Sequence, residues 1–201
     1  MNKEENVLFQ NKYYKRSMRF RGWNYASGGY YFVTVCTKNF QSFFGRIHDK
    51  RMQLSEIGRM ADKYWKEITK HYPNTELDEF IIMPNHVYGI IRIKPVDKQN
   101  IRGVETCHGK SLRRDMSSQE YRAKYGKLQK GSLSSIVNQF KGAVTRYARQ
   151  NDIYFHWQPK FYDRIIRNKL ELDKIRQYIV DNPIKWEYEK ALSLRGAKAT
   201  W

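Results

Sequence analysis

The chain has 201 residues, 40% of them hydrophobic and 29% charged, enough for one sizeable core and too apolar for a disordered protein. Thirty-eight Lys and Arg against 20 Asp and Glu leave a net charge of +18, an excess that calls for a polyanionic partner. The lack of any run of about 18 apolar residues argues against a transmembrane helix, and residues 1–16 lack the apolar centre of a signal peptide, so a cytoplasmic protein is expected.

The cations are spread along the chain and interleaved with 15 Tyr, 10 Phe and 5 Trp. Lys and Arg neutralise phosphates, and aromatic rings stack on unpaired bases. A merely soluble basic protein, or one that binds membrane surfaces, is the blander alternative. Nucleic acid is favoured because no amphipathic surface helix accounts for the aromatic residues. Cys36 and Cys107 have no paired spacing, which argues against a zinc knuckle or a disulfide framework, and Cys36 reads as a buried reduced thiol in a strand.

Residues 1–27 form a basic, aromatic arm ending in Arg19-Phe20-Arg21-Gly22-Trp23-Asn24-Tyr25. After Gly28-Gly29, residues 30–37 read as a buried strand rich in aromatic and β-branched side chains. Phe43–Ile47 and Arg51–Leu54 predict a short hairpin around His48-Asp49-Lys50. Leu54, Ile57, Met60, Ala61, Tyr64, Trp65 and Ile68 recur at helical spacing, predicting a helix over 55–71 capped by Ser55. Two strands follow, 76–83 and 86–93, joined by Pro84-Asn85. In the second, His86 and Tyr88 project from one face and Val87, Gly89 and Ile91 from the other.

Residues 95–130 carry many basic residues and no sustained period, and read as a long insertion with a short helix near Glu120–Leu128. Leu133, Ile136, Val137, Phe140, Val144 and Tyr147 then mark an amphipathic helix that Ser132 or Ser134 caps. Tyr154–Trp157 and Phe161–Ile166 are extended pieces. A last helix opens at Asn168, with Glu171 three residues on in a capping-box-like arrangement, and is expected to end near Asn182, ahead of Pro183. This order suits an α+β fold, an antiparallel sheet with packed helices, in one domain over 28–190 with a short tail at 191–201.

Two features carry chemistry. Met83-Pro84-Asn85-His86-Val87-Tyr88 delivers a histidine from a turn onto a strand, and Ile175–Asn182 places Tyr178 and Asn182 at i and i+4 on one helix face. A tyrosine that cuts a phosphodiester needs such a position beside groups that neutralise the phosphate. Each residue alone reads more simply, His86 as a hydrogen-bonded structural residue and Tyr178 as one packing residue among fifteen tyrosines. Tyr147 is the runner-up nucleophile, without an equivalent amide neighbour.

Taken together, the segments Arg19–Gly22, Leu77–His86 and Trp157–Pro183 resemble the single-tyrosine HUH transposases, in particular the REP-associated tyrosine transposases. HUH denotes histidine, a hydrophobic residue, histidine. The resemblance covers roughly residues 15–95 and 130–187. It implies a ferredoxin/RRM-like HUH fold and an enzyme that cleaves hairpin (REP-like) single-stranded DNA through a 5′-phosphotyrosine link. It assigns Tyr178 as nucleophile, and His86, Asn182 and the position of Tyr88 as ligands of Mg²⁺ or Mn²⁺. The family acts as monomers or dimers. Asn182 stands where glutamine is usual, and Tyr88 where the second histidine belongs. A neutral phenol is a poor ligand for a hard cation, so a catalytically impaired DNA-binding protein is the alternative, and His108 is a substitute ligand to consider. Phosphate contacts are expected from Lys15, Arg16, Arg19 and Arg21 of the arm and from Lys141, Arg146 and Arg149 of the second amphipathic helix. Trp23, Tyr25 and Trp157 are stacking candidates, with core packing the simpler reading of Trp157.

Overall fold

The structure, a computed structural model, describes residues 24–95 and 129–196, with side chains to residue 189. Most of the arm, nearly all of the insertion with its short helix, and residues 197–201 lie outside the described residues. So do Lys15, Arg16, Arg19, Arg21, Trp23 and His108.

Strand β1 (Gly29–Cys36) is followed by a hairpin of β2 (Gly45–His48) and β3 (Arg51–Leu54). The hairpin turns through Asp49 and Lys50, both at positive φ (51° and 60°), the two-residue loop whose twist matches that of its strands. Helix α1 (Glu56–Lys66) starts at Ser55, whose side chain accepts from the Gly58 N–H at 3.1 Å. The helix expected over 55–71 breaks at Glu67, where ψ flattens to −6° and the ladder restarts as α2 (Ile68–His71). Strands β4 (Thr75–Ile82) and β5 (His86–Ile93), helix α3 (Leu133–Gln150, capped by Ser132), strand β6 (Tyr162–Ile166) and helix α4 (Lys169–Gly196) complete the chain.

The four long strands form an antiparallel sheet in the order β4-β5-β1-β6. Alternation sends Tyr31, Val33 and Val35 of β1 and Val87 and Ile91 of β5 to the back face. There they meet Ile57, Ala61 and Trp65 of α1 and Ile136, Val137, Phe140 and Val144 of α3 in the main core. A Cβ at Gly89 would overlap the indole of Trp65, so only glycine lets α1 close onto the sheet here. A bulge in β4 between Leu77 and Phe80 resets the phase: both turn to the back core, and Ile81 turns forward.

Among the described helices the front face is covered by α4, through Leu172, Ile175 and Ile179 packed on Phe32, Ile90 and Ile166. Its start follows the expected pattern, with the Glu171 N–H donating to Asn168 Oδ1 at 2.8 Å and Glu171 Oε2 accepting from the Arg167 N–H at 3.0 Å. Its end does not. The helix runs through Pro183 to Gly196, which corrects the boundary expected at Asn182. A proline inside a helix removes one N–H, but contacts beyond it hold the last turns down. Trp186 lies against His86, and Glu187 Oε2 accepts from the Lys50 N–H at 3.0 Å. No described helix is long and apolar enough to cross a membrane.

Candidate active site

The Pro84-Asn85 turn is tied to the rest of the fold at several points. Asn85 O accepts from the N–H and Oγ1 of Thr37, both at 2.9 Å, and Asn85 Nδ2 donates to Phe40 O at 3.0 Å. With its amide N–H₂ so engaged, Asn85 presents Oδ1 as an acceptor 2.7 Å from His86 Nδ1. That bond puts the ring proton on Nδ1 and leaves Nε2 as a bare lone pair. Nε2 is buried and has no hydrogen-bond partner among the described residues. Burial lowers the His86 pKa from 6.5 to about 4, so the imidazole is neutral at pH 7.

Tyr88 stands two residues along on the same face. Its ring stacks on Phe32 at 5.5 Å between centroids and meets His86 edge-to-face at 4.2 Å. Desolvation first, and then the hydrogen bond from Tyr178, push its pKa far above that of a free phenol. From α4, Tyr178 donates its hydroxyl to the Tyr88 hydroxyl at 3.1 Å and keeps 38% of its surface exposed. Asn182, one turn on, is buried. Another turn on, the Trp186 ring lies 5.8 Å from His86. Tyr178, Asn182 and Trp186 thus form a line at i, i+4 and i+8 along the site-facing edge of α4. The cluster has a half-open mouth at Tyr178 and a closed floor at His86.

The register of α4 over the sheet is set by Arg176. Its Nε and one terminal nitrogen grip both carboxylate oxygens of Asp78, at 2.8 and 2.6 Å, and the other nitrogen reaches Asp173 at 2.9 Å. Asp78 sits in the bulge of β4, and Arg176 holds its carboxyl below the usual carboxylate range. Nothing in the sequence local to either residue names the other, since they stand 98 residues apart. Trp186 was legible in principle, as a continuation of the Tyr178–Asn182 spacing, but the expected stop at Pro183 concealed it.

The donors gathered here do not fit Mg²⁺ or Mn²⁺. His86 Nε2 is a well-made ligand atom, and Asn182, the other expected ligand, is buried one turn beyond Tyr178 on α4. At the third position stands a phenol, whose hydroxyl already accepts from that of Tyr178 at 3.1 Å. Among the described residues no group of three His, Cys, Asp or Glu side chains offers an alternative. Hard cations want several oxygen donors that are charged or strongly polar, and this set gives them a neutral phenol instead.

The expected phosphate contacts on α3 are not brought to this site. Arg146 and Arg149 are exposed on a helix that packs against the opposite face of the sheet. The Lys141 ammonium donates to the carbonyls of Gln158 and Lys160 at 2.7 and 2.9 Å, bracing the 157–160 segment. Tyr147, the runner-up nucleophile, donates its hydroxyl to Glu56 at 2.7 Å and ties α3 to α1. Cys36 is partly buried opposite His86 in the β1–β5 register, and burial raises its thiol to about 11.

No family model matches the sequence. A protein of Haemophilus influenzae, described only as uncharacterized, is 37% identical over 180 residues, which make up 89% of this chain and 93% of that one. Among solved structures, that of a REP-associated tyrosine transposase bound to a REP hairpin superposes with a TM-score of 0.52 at 18% identity. The match covers 87% of this chain and 74% of that one. At that identity the likeness is one of fold.

Proposed function

We propose a function for a chain that belongs to one family with the Haemophilus influenzae protein and has the fold of a REP-associated tyrosine transposase. The protein is a tyrosine transposase or single-strand nuclease-ligase that binds hairpin single-stranded DNA, with Tyr178 as its nucleophile. The observation that carries this reading is the placement of Tyr178, a residue 38% exposed whose hydroxyl lies 3.1 Å from that of Tyr88 beside the His86 cluster. Only a tyrosine reachable by a DNA strand, yet fixed by its neighbours, suits in-line attack.

In the reaction the Tyr178 oxygen forms a bond to the scissile phosphorus, and the bond from phosphorus to the 3′ oxygen breaks. The Tyr178 proton is lost to solvent, and the leaving 3′ oxygen takes up a proton from solvent to end as a hydroxyl. The phosphotyrosine keeps the energy of the phosphodiester, so attack by a later 3′ hydroxyl rejoins strands without an external energy source. Residues of the chain bind and orient: Tyr88 and Phe32 hold the Tyr178 ring, and Arg176 holds its helix.

A second reading is favoured by Tyr88 itself. With a neutral phenol at the second histidine position, the protein binds DNA on this fold without cutting it. A denaturing-gel shift with a labelled hairpin oligonucleotide separates the two. The first reading expects a covalent adduct that Tyr178→Phe abolishes while DNA binding persists. Binding without adduct moves the protein to the second.

A further inference from the structure

A phosphodiester under attack needs positive charge at its non-bridging oxygens, and among the described residues no group of three His, Cys, Asp or Glu side chains stands at His86 to hold a metal ion that would supply it. A cation held close to the Tyr178 ring is therefore the group to look for. Arg176 is occupied by Asp78 and Asp173, and Arg164 by Glu171 at 2.7 Å. Lys185 differs. It is exposed, it forms no ion pair among the described residues, and its ammonium lies 5.1 Å from the centroid of the Tyr178 ring.

The helix explains the position. Seven residues are two turns, so Lys185 returns to the face that carries Tyr178. This holds only because α4 continues past Pro183; a helix ending at Asn182 would not place Lys185 there. A lysine stem has four rotatable carbons, and small torsional changes carry the ammonium from the ring face to a phosphate seated at the hydroxyl. As a compact, strongly hydrated charge, it acts on phosphate in the same sense as a cation held by ligands.

We propose that Lys185 is a catalytic residue that stabilises the phosphate attacked by Tyr178, so that cleavage runs without a divalent metal ion. The inference rests on the reading of Tyr178 as nucleophile. Lys185 keeps its proton throughout, and the bonds made and broken are those at phosphorus already given.

The test is single-turnover adduct formation by the full chain on a labelled hairpin oligonucleotide, in EDTA and in Mn²⁺. The variants are Lys185→Ala, Lys185→Arg and Tyr178→Phe, with thermal melts as a check on folding. The parent is expected to form adduct in EDTA at a rate that Mn²⁺ changes by less than about twofold. Lys185→Ala is expected to slow it on the order of 100-fold with little change in DNA affinity, and Lys185→Arg to recover most of the loss. Adduct that appears only with Mn²⁺, or a Lys185→Ala variant as fast as the parent in EDTA, overturns the proposal and leaves the nucleophile in place. Tight binding with no adduct in either condition overturns both.

Discussion

At the scale of the residue, His86 and Tyr88 show how one substitution changes what a site offers. His86 retains the features of a ligand: a proton fixed on Nδ1 by Asn85, a bare buried Nε2, and a neutral ring. Its folded pKa of about 4 lies below the 6.5 of an unfolded histidine, so the linkage has a definite sign. Above pH 6.5 neither state binds the proton and the native state keeps its full stability. Below 6.5 the unfolded chain takes up a proton that the native site refuses, and stability falls until about pH 4. The loss over that window is roughly 3 kcal/mol. Urea denaturation at pH 7 and pH 4.5 is expected to show most of it, and His86→Gln to flatten that part of the profile; an unchanged slope in the variant would refute the assignment. Tyr88→His is the complementary change. It removes the phenol and places a second imidazole two residues from the first on the same face. Titration calorimetry is expected to detect Mn²⁺ binding to the variant at least about tenfold tighter than to the parent. Equal affinities would mean that Tyr88 is not what disables the site.

At the scale of the element, α4 turns a sheet face into a site, and the Asp78–Arg176 pair fixes where it lies. The pair is bidentate, with the carboxylate largely covered and the guanidinium 38% exposed, so solvent screens part of it. Asp78→Asn and Arg176→Ala are each expected to cost about 1–2 kcal/mol in urea denaturation. The double variant is expected to cost little more than either alone, because both remove the same interaction; full additivity would show that the two residues stabilise independently. Much of the architecture was legible because it is local. Alternation marks β5 from His86 to Ile93, helical spacing marks α3, and Ser55 and Asn168 announce their helices. What stayed hidden was either long-range or a local rule outweighed. No pattern around Asp78 names a partner 98 residues away, and the bulge that aims it forward breaks the period-2 rule. Pro183 reads as a stop, yet Trp186 on His86 and Glu187 on Lys50 carry the helix onward. In the site, Tyr178, Asn182, His86 and Tyr88 were named by the family resemblance, whereas Lys185 was not legible, since its place depends on that continuation.

At the scale of the whole molecule, the sheet divides the positive charge. Tyr178 and Lys185 lie on the front, on α4, while Arg146 and Arg149 project from α3 behind the back core. A sheet with side chains on both faces is thick enough that one phosphate cannot touch both groups. The two sets of cations therefore have separable roles, and salt dependence tells them apart. Each phosphate neutralised on a single strand contributes about 0.7 to the slope of log affinity against log salt. Replacing Arg146 and Arg149 together by Ala is expected to lower that slope by about 1.4 if both contact backbone phosphates, and to weaken binding evenly across sequences. The adduct rate at saturating DNA is expected to stay unchanged, because no part of the reacting centre has moved. Lys185→Ala should do the reverse, leaving most of the slope and losing the rate. Fluorescence anisotropy across a salt series, paired with single-turnover gels, measures both quantities on the same oligonucleotide. If the α3 variant slows the chemical step, the sheet does not insulate its two faces and the DNA reaches the site by wrapping around the β6 edge.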